Sequence, residues 1–362
     1  MTESFEQLLE YFSDFGPSRD SGFYTPKSVT KVLASVLAVG SASTFYDPAC
    51  GFGELLVAAA TTAAGRSAGI AAYGSALSTE SLYVSRMNLT LHGIENKIFL
   101  HDFSSYNELP ETPRTFSRIL ANPPFSQRWS DFHPEPVRYS HRMKGRAEFT
   151  WLDHAIRSLD PDGRAAVVMP NGTLFSANRY DTATRQRMIE EGCVEAVVAL
   201  PPDLFQGTRI PVCIWLLLPP GSVHDQILLI DASSAGHMID RTRREMSGQE
   251  IAEIAEAIRT WRSDHSTETA SNAASISIAQ IRERNYNLAP GLYAKTPPPV
   301  ADLSSAEDSV ELLMNRLASL EEAAEEKDAI AAQLLRRLKW LALSSVRCPR
   351  TGGKEPLATS AS

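Results

Sequence analysis

Short apolar runs alternate with helix-length segments through the middle of this 362-residue chain. This alternation predicts a doubly wound, mainly parallel α/β sheet with helices on both faces. A short loop separates the last two predicted strands, which favours an antiparallel hairpin at the sheet edge, and residues 227–230 would add one more edge strand. The seven predicted strands are residues 44–46, 69–73, 97–101, 118–121, 164–169, 195–200 and 212–217.

The pattern on either side of these strands predicts further segments. A helix begins at Pro26, where proline suits the first turn, and apolar residues then recur at helical spacing. A stretch rich in Ser, Thr and Asn predicts a loose loop at residues 263–275. The predicted order is N-terminal helices (1–43), the α/β core (44–235), a helical and loop extension packed on that core (236–300), a coiled-coil-like helix (301–345) and a disordered tail (346–362).

The C-terminal helix repeats Leu or Ala in alternating steps of four and three between Leu313 and Leu341. Such a heptad pattern predicts a coiled-coil or helical-bundle contact, in which a polar seam residue such as Lys327 helps to set the register. The alternative is an amphipathic helix that packs on its own domain. The repeat alone leaves both interpretations open.

Composition narrows the class of protein. Hydrophobic residues make up 43% of the chain, but the longest apolar run, residues 212–218, is too short to span a bilayer. Acidic residues near the N-terminus argue against a secretory signal, so we expect a cytoplasmic protein without membrane contact. The cysteines are scattered without metal-ligand spacing, and no metal site is predicted. They are Cys50, Cys193, Cys213 and Cys348.

A formal net charge of −8 argues against a protein that binds DNA through overall positive charge. The segment 127–147 is an exception, because its basic residues clearly outnumber its acidic ones. It directly follows a candidate catalytic loop and is a candidate contact for a nucleic-acid backbone, although such charge runs also form ordinary solvated loops. The candidate DNA-binding residues are Arg128, Arg138, Arg142, Lys144 and Arg146.

The candidate catalytic loop is Asn122, Pro123, Pro124 and Phe125, which follows a predicted buried strand. Ligands of open α/β sheets bind at the carboxyl ends of strands. The Asn122 side-chain carbonyl and the Pro123 backbone carbonyl can accept N–H groups of a nucleobase amine and turn its lone pair toward a methyl donor. Phe125 offers a face on which an extruded base can stack. The alternative is a common proline turn.

A glycine-containing turn follows the first predicted strand and leads into a helix. Gly51 and Gly53 allow a ligand to approach the backbone, and Asp47 can neutralise a cation such as the ammonium or sulfonium of S-adenosylmethionine. A dinucleotide fingerprint is disfavoured because no third glycine follows Gly51 and Gly53 at the spacing of Gly-x-Gly-x-x-Gly. The candidate cofactor-binding turn is Asp47, Pro48, Ala49, Cys50, Gly51, Phe52 and Gly53.

Two further segments are candidates for holding the cofactor. Phe23, Tyr24, Thr25 and Pro26 precede a helix, where the Thr25 hydroxyl and free helix N–H groups can bind a carboxylate such as the methionine end of S-adenosylmethionine. Plain N-capping by Thr25 is the alternative. Asp102, after the third predicted strand, can accept the cofactor's adenine amine, although a loop or cap role is also common there.

The motifs at Phe23–Pro26, Asp47–Gly53 and Asn122–Phe125, in this order, resemble the N6-adenine DNA methyltransferases that serve as modification subunits of type I restriction-modification systems. Similar segments extend the resemblance over residues 5–295. They are 86–93, 164–175, 200–211 and 284–293.

This resemblance implies a Rossmann-like class I S-adenosylmethionine-dependent methyltransferase sheet with a C-terminal helical tail. It implies S-adenosyl-L-methionine as cofactor and methylation of adenine N6 in DNA, with Asn122–Phe125 as the catalytic loop. In that family a separate specificity subunit selects the DNA sequence. Residues 305–343 are therefore the expected docking element for such a subunit or for a second copy of the chain.

Two departures from the family leave alternatives open. The second strand is expected to end at Ala76, where the family has an acidic residue for the cofactor ribose, and only about twenty residues precede Phe23, where the family has a helical domain that helps to enclose DNA. A degenerate methylase that acts as a binding or assembly subunit is one alternative. The other is methylation of a glutamine amide or an RNA base, which shares the Asn-Pro-Pro chemistry.

Overall fold

The computed structural model describes Phe5, Leu9 and residues 25–37, 44–63, 70–100, 115–125, 138–139, 148–205, 210–265, 267 and 270–293. All of them belong to one compact unit, Met1–Thr296. The predicted coiled-coil-like helix and the tail lie outside the described residues, so the contact predicted for 305–343 remains a prediction. The predicted domain boundaries likewise remain predictions.

The described strands form one large sheet and one small ribbon. The large sheet has the order β11-β8-β6-β7-β5-β4-β1-β2-β3, and the ribbon pairs β9 with β10. The strands are β1 Thr44–Asp47, β2 Ala71–Ala76, β3 Glu95–Leu100, β4 Phe116–Ala121, β5 Leu159–Pro170, β6 Val194–Ala199, β7 Val212–Leu217, β8 Gln226–Asp231, β9 His237–Met238, β10 Arg244–Glu245 and β11 Ala273–Ser277.

The mostly parallel α/β sheet is confirmed, and all seven predicted strands are present. The β6–β7 hairpin is antiparallel as predicted, and β7 also runs antiparallel to β5. The expectation that this hairpin ends the sheet is wrong, because β8 pairs in parallel with β6. Neither is β8 the edge strand, since β11 adds to its outer side. The predicted loose loop at 263–275 is therefore wrong from residue 273 onward, and also at residues 263 and 264, which end a helix.

Helices cover both faces of the sheet. They are α1 Lys27–Leu37, α2 Glu54–Ala63, α3 Thr79–Leu91, α4 Glu148–Arg157, α5 Gly172–Phe175, α6 Arg179–Glu190, α7 Gly248–Asp264 and α8 Ile278–Glu283, with a 3₁₀ turn at Pro290–Leu292. None of the helices in the described ranges has the length and apolar content needed to cross a membrane.

Strand β7 shows how the sequence builds two cores. Its six residues are all fully buried, because alternate side chains point to opposite faces that are both covered. Ile214 and Leu216 join the core beneath α1, α2 and α7, whereas Trp215 and Leu217 join the core beneath α4 and α6. This explains why the segment is a continuous apolar run rather than an alternating one.

A buried ion pair joins the C-terminal extension to the sheet. The Glu195 carboxylate of β6 accepts hydrogen bonds from Arg262 of α7, Nε at 2.9 Å and Nη2 at 2.7 Å. Arg164 of β5 donates from Nε to the same carboxylate at 3.2 Å. A third Arg262 hydrogen bond, from Nη1 to the Val36 carbonyl at 2.8 Å, reaches α1. The extension is thereby tied to the helix that follows Thr25.

Candidate active site

Three sequence motifs meet at the carboxyl end of the parallel strands. Strands β1 and β4 are parallel neighbours, with Tyr46 opposite Ile119, so the turn after Asp47 and the loop after Ala121 leave the same edge of the sheet. The predicted placement of both motifs at strand ends is confirmed. The third motif enters through Thr25, which precedes α1 and hydrogen-bonds residues of both other segments.

The glycine-containing turn is closed by its own backbone. The Gly53 N–H donates to the Cys50 carbonyl at 2.7 Å, and the Cys50 N–H donates to the Ser75 carbonyl of β2 at 3.0 Å. Gly53 has a φ of +82°, a conformation that residues with a side chain rarely adopt. Across the turn, Gly74 is required as well, because a Cβ there would lie 3.0 Å from Cys50 Cβ and 2.9 Å from Ile98 Cδ1.

Asp47 lies buried at the start of this turn. Its Oδ1 accepts a hydrogen bond from the Ala49 N–H at 2.9 Å, and its residue exposure is only 1%. Burial raises the pKa of the Asp47 carboxyl well above its usual range, and the nearby Glu54 raises it further against the opposing effect of the Ala49 N–H. A cation bound beside Asp47 would restore its charged form.

Thr25, Glu54 and Asn122 form a connected cluster. The Thr25 N–H donates to Glu54 Oε1 at 3.0 Å, and Asn122 Nδ2 donates to Thr25 Oγ1 at 3.1 Å. Thr25 and Asn122 are buried, with exposures of 2% and 8%. The Thr30 hydroxyl donates to the Thr25 carbonyl at 3.2 Å and anchors it to the first turn of α1. The cluster therefore links the proposed catalytic loop to the proposed cofactor segment.

Glu54 is the first residue of α2 and the unexpected member of this cluster. Burial raises the pKa of its carboxyl, while hydrogen bonds from the Thr25 backbone and hydroxyl and from the backbone of Glu54 and Phe52 lower it less strongly. Its Oε2 is buried and has no hydrogen-bond partner. The sequence contained one clue to its importance, a carboxylate directly after the glycine turn, but nothing in the local pattern indicated contact with Thr25.

Phe125 stands against a second aromatic ring. Pro123 is buried, whereas Pro124 and Phe125 are half-buried. Phe125 meets Phe205 edge to face, with ring centroids 6.5 Å apart and an interplanar angle of 69°. Phe205 lies beyond the end of β6 and is 5% exposed. This contact fixes one side of the Phe125 ring, and no pattern in the sequence indicated it.

Strand β2 continues past its predicted range of 69–73 and ends at Ala76, which is fully buried in the core. Ser78 follows shortly after and caps α3, and Asn88 lies within that helix. Asn88 Nδ2 donates to the Phe52 carbonyl of the glycine turn at 2.9 Å, and its Oδ1 is buried without a partner. Asn88 is a second supporting residue that was missed, although an Asn inside a helix is itself a signal.

Several predicted site residues lie outside the described residues. They are Phe23, Tyr24, Asp102, Arg128, Arg142, Lys144 and Arg146. Arg138 is described, and its Nη2 forms a salt bridge with Glu191 Oε2 at 2.7 Å, which offsets its positive charge. Within the described ranges, no three His, Cys, Asp or Glu side chains converge in a way that would hold a metal ion.

The strand order with β7 antiparallel between β5 and β6, and a glycine-containing turn after β1, define a class I methyltransferase fold. A model of the N-6 DNA Methylase family matches residues 1–300, and the chain belongs to this family. The family resemblance predicted from the motifs is thus confirmed.

Relatives and solved structures agree with this assignment. The chain is 30% identical over 300 residues to the type I restriction enzyme HindI methylase subunit of Haemophilus influenzae, a match that covers 81% of this chain and 68% of the relative. It is also 30% identical over 307 residues to the MjaIX methylase subunit of Methanocaldococcus jannaschii, covering 80% and 54%.

Among solved structures, the type I restriction-modification system methyltransferase subunit of Streptococcus thermophilus superposes with a TM-score of 0.71 at 26% identity. The match covers 82% of this chain and 64% of that one. The chain therefore spans between about half and two thirds of the length of most of these proteins.

Proposed function

We propose that this protein transfers a methyl group from S-adenosyl-L-methionine to N6 of adenine in DNA, as the modification component of a restriction-modification or related system. The observation that carries the proposal is the position of Asn122, which is held by Thr25 at the carboxyl end of β4, beside the glycine turn. Membership of the N-6 DNA Methylase family supports it.

The reaction requires the adenine amine to become a better nucleophile. Its lone pair is delocalised into the ring, so orientation contributes more than a general base. Asn122 Oδ1 and the Pro123 carbonyl accept the two N–H groups and turn the lone pair toward the methyl group. Phe125, braced by Phe205, stacks on the base once it has left the duplex. The amine then releases one proton.

The chain's residues fit S-adenosylmethionine, which supplies an electrophilic methyl on a sulfonium. The Gly51 and Gly53 backbone admits a ligand closely, and the buried Asp47 carboxyl can balance a cationic group. Asn88 Oδ1, a buried acceptor without a partner beside the turn, can accept a further donor. The remaining proposed cofactor contacts are Phe23, Tyr24, Thr25, Pro26, Pro48, Ala49, Cys50, Phe52 and Asp102.

DNA and partner contacts follow from the same proposal. The basic residues between 127 and 147 lie next to Asn122–Phe125 in the chain and suit phosphate contacts rather than base reading. Residues 305–343 would dock a specificity subunit or a second copy. The relatives are themselves described as methylase subunits, which supports assembly with other chains. We infer a cytoplasmic location, where DNA and cofactor are available.

Methyl transfer to plasmid DNA, followed by nucleoside mass analysis, tests this function directly. We expect N6-methyladenine to accumulate when the products of neighbouring genes are added. Cofactor binding without N6-methyladenine, across varied DNA sequences and with these products present, would contradict the proposal.

Ala76 favours a second candidate, a degenerate methylase kept as a binding or assembly component. Losing a charged acceptor for the ribose hydroxyls costs about 1.5–3 kcal/mol of cofactor binding. Isothermal titration calorimetry separates the two candidates. Micromolar binding of S-adenosylmethionine by the isolated protein would argue against a degenerate methylase that has lost its cofactor site.

A further inference from the structure

We infer that Glu54 is a positioning residue, which acts through Thr25 to orient the side-chain amide of Asn122 for the methyl acceptor. The inference rests on the proposed function and assigns a role to a residue that the motifs did not single out. It follows from the contacts of three side chains that come from separate parts of the chain and meet in the interior.

The first step is the order of the hydrogen bonds. Glu54 Oε1 accepts from the Thr25 N–H at 3.0 Å, and the Thr25 hydroxyl lies close enough to lower the pKa of this carboxyl against the effect of burial. Thr25 Oγ1 then accepts from Asn122 Nδ2 at 3.1 Å. The three groups therefore form a series of hydrogen bonds that runs from α2, through the residue before α1, to the loop after β4.

The second step is the direction in which protons are donated along this series of hydrogen bonds. An ionised carboxylate only accepts hydrogen bonds, so the Thr25 hydroxyl proton turns toward Glu54 and away from the Asn122 amide nitrogen, which is itself a donor. The Thr25 oxygen is left with lone pairs, which makes it an acceptor for the Asn122 amide nitrogen. The opposite end of that amide, Oδ1, is then free to accept from the adenine amine. A donor at position 54 would reverse this order.

The third step is the unfavourable setting of Glu54 as a structural residue. Its Oε2 is buried without a partner, and the neighbouring Asp47 is also acidic. A carboxylate favours a helix N-terminus through the helix dipole, but that effect does not require burial against Thr25. Burying an unsatisfied acceptor is costly, which points to a use beyond stabilising α2.

A competing interpretation uses the same contacts. The Thr25 hydroxyl and the free helix N–H groups are expected to bind the carboxylate of the cofactor, and the Glu54 carboxylate already lies against Thr25 through its N–H. In that case Glu54 would compete with the cofactor, and its removal would tighten binding. The positioning role instead predicts an effect on turnover while cofactor affinity stays the same.

The test is the substitution Glu54→Gln, with Glu95→Gln as the control. The substituted glutamine presents an amide that can donate to Thr25 Oγ1, whereas Glu95 is exposed at the amino end of β3. With saturating cofactor and DNA, we expect kcat to fall roughly 100-fold in Glu54→Gln and to stay unchanged in the control. The dissociation constant for S-adenosylmethionine should stay unchanged in both.

A double-mutant cycle separates positioning from general damage. Thr25→Val interrupts the same series of hydrogen bonds, so adding it to Glu54→Gln should reduce kcat no further than either change alone. Thr25→Ser keeps the hydroxyl and should lose less activity than Thr25→Val. The inference would be overturned if the fold reductions in kcat caused by Glu54→Gln and Thr25→Val multiplied in the double variant. An unchanged kcat or tighter cofactor binding in Glu54→Gln would also overturn it.

A spectroscopic measurement does not depend on turnover. The side-chain amide resonance of Asn122, assigned by its loss in Asn122→Ala, should shift in Glu54→Gln and in Thr25→Val but not in Glu95→Gln. An unshifted resonance refutes the role of Glu54 even if the wild type methylates DNA. If the resonance shifts but the wild type never methylates DNA, the proposed function fails and the orienting contact stands.

Discussion

Arg262 holds Glu195 through two parallel hydrogen bonds, from Nε at 2.9 Å and from Nη2 at 2.7 Å, in a place where both side chains are nearly inaccessible to solvent. Paired donors of this kind match the geometry of a carboxylate and are among the stronger charged contacts in proteins. The same guanidinium reaches the Val36 carbonyl at the end of α1. Three separate parts of the chain thus depend on one side chain.

We expect Arg262→Met to lower the free energy of unfolding by about 3 kcal/mol, because it removes the two shorter hydrogen bonds of the buried Glu195 and leaves the longer one from Arg164. Urea denaturation measures the change. Arg259→Met is the matched control, since Arg259 pairs with Glu256 on the exposed surface of the same helix and should cost less than about 1 kcal/mol. Equal losses in the two variants would contradict the assigned importance of the buried pair.

The same ion pair predicts how stability responds to acid. Burial opposes ionisation of Glu195, but its contacts with Arg262 and Arg164 outweigh burial, so its pKa lies below the ordinary value of 4.5. A lowered pKa stabilises the fold at pH values above the unfolded-state pKa, and this contribution is lost as pH falls through the folded-state pKa.

Glu195→Gln should therefore lose less stability than the wild type as the pH is lowered from 4.5. Urea midpoints measured over that acid range check it. Parallel pH profiles for the two proteins would show that Glu195 contributes nothing to acid sensitivity.

Asn122→Ala should lower the rate of adenine methylation by roughly 100-fold or more, because the amine loses an acceptor that orients it. Cofactor affinity should stay nearly intact. Methyl transfer and calorimetry measure the two quantities. Asn178→Ala, at the exposed N-cap of α6, is the control and should cost stability but not activity. A normal methylation rate in Asn122→Ala would refute its catalytic role.

Gly53→Ala should destabilise the protein by about 1–2 kcal/mol, because alanine is strained at a φ of +82°. It should also weaken cofactor binding, since the turn must rearrange. Gly93→Ala provides the comparison, as Gly93 has a φ of +68° with open space around it, away from the turn. Similar loss of stability is expected there, with unchanged binding of S-adenosylmethionine. Weaker binding in both would point to global strain instead.

Deleting residues 305–343 should abolish capture of a specificity subunit in a pull-down while leaving cofactor binding unchanged. The reason is the heptad repeat, which supplies an apolar seam for a partner helix. Replacing Leu317, Leu320 and Leu334 with serine in the full chain is a milder test of the same seam. Undiminished capture would favour packing of this helix within its own chain.

Much of the fold can be predicted from the sequence, because a strand buried on both faces consists of consecutive apolar residues. Strand β7 has the predicted bounds 212–217 for that reason. Strand β5 begins at Leu159, earlier than predicted, because residues 160–163 have the Asp-Pro-Asp-Gly sequence typical of a turn. Strand β11 was missed because Ser, Thr and Asn surround it, and its conformation depends on pairing with β8 rather than on local preference.

The candidate site likewise has features that the sequence predicts and contacts that it does not. Positions at strand ends, such as Asp47 and Asn122, can be inferred from the order of strands. The contact of Glu54 with Thr25 cannot, because it depends on how α1 packs against α2 across 29 residues of chain. The aromatic contact of Phe125 with Phe205 likewise arises only from tertiary packing.

Thr25 and Asn122 lie 97 residues apart in the chain, and this separation has a consequence for how the protein matures. During synthesis the threonine leaves the ribosome long before the asparagine, and strands β1, β2 and β4 must be in register before the two can meet. The Asn122 side-chain amide can therefore form its hydrogen bond with Thr25 only after these strands have paired. A chain that misfolds at its amino end keeps the tetrapeptide but lacks the hydrogen bond between Asn122 and Thr25.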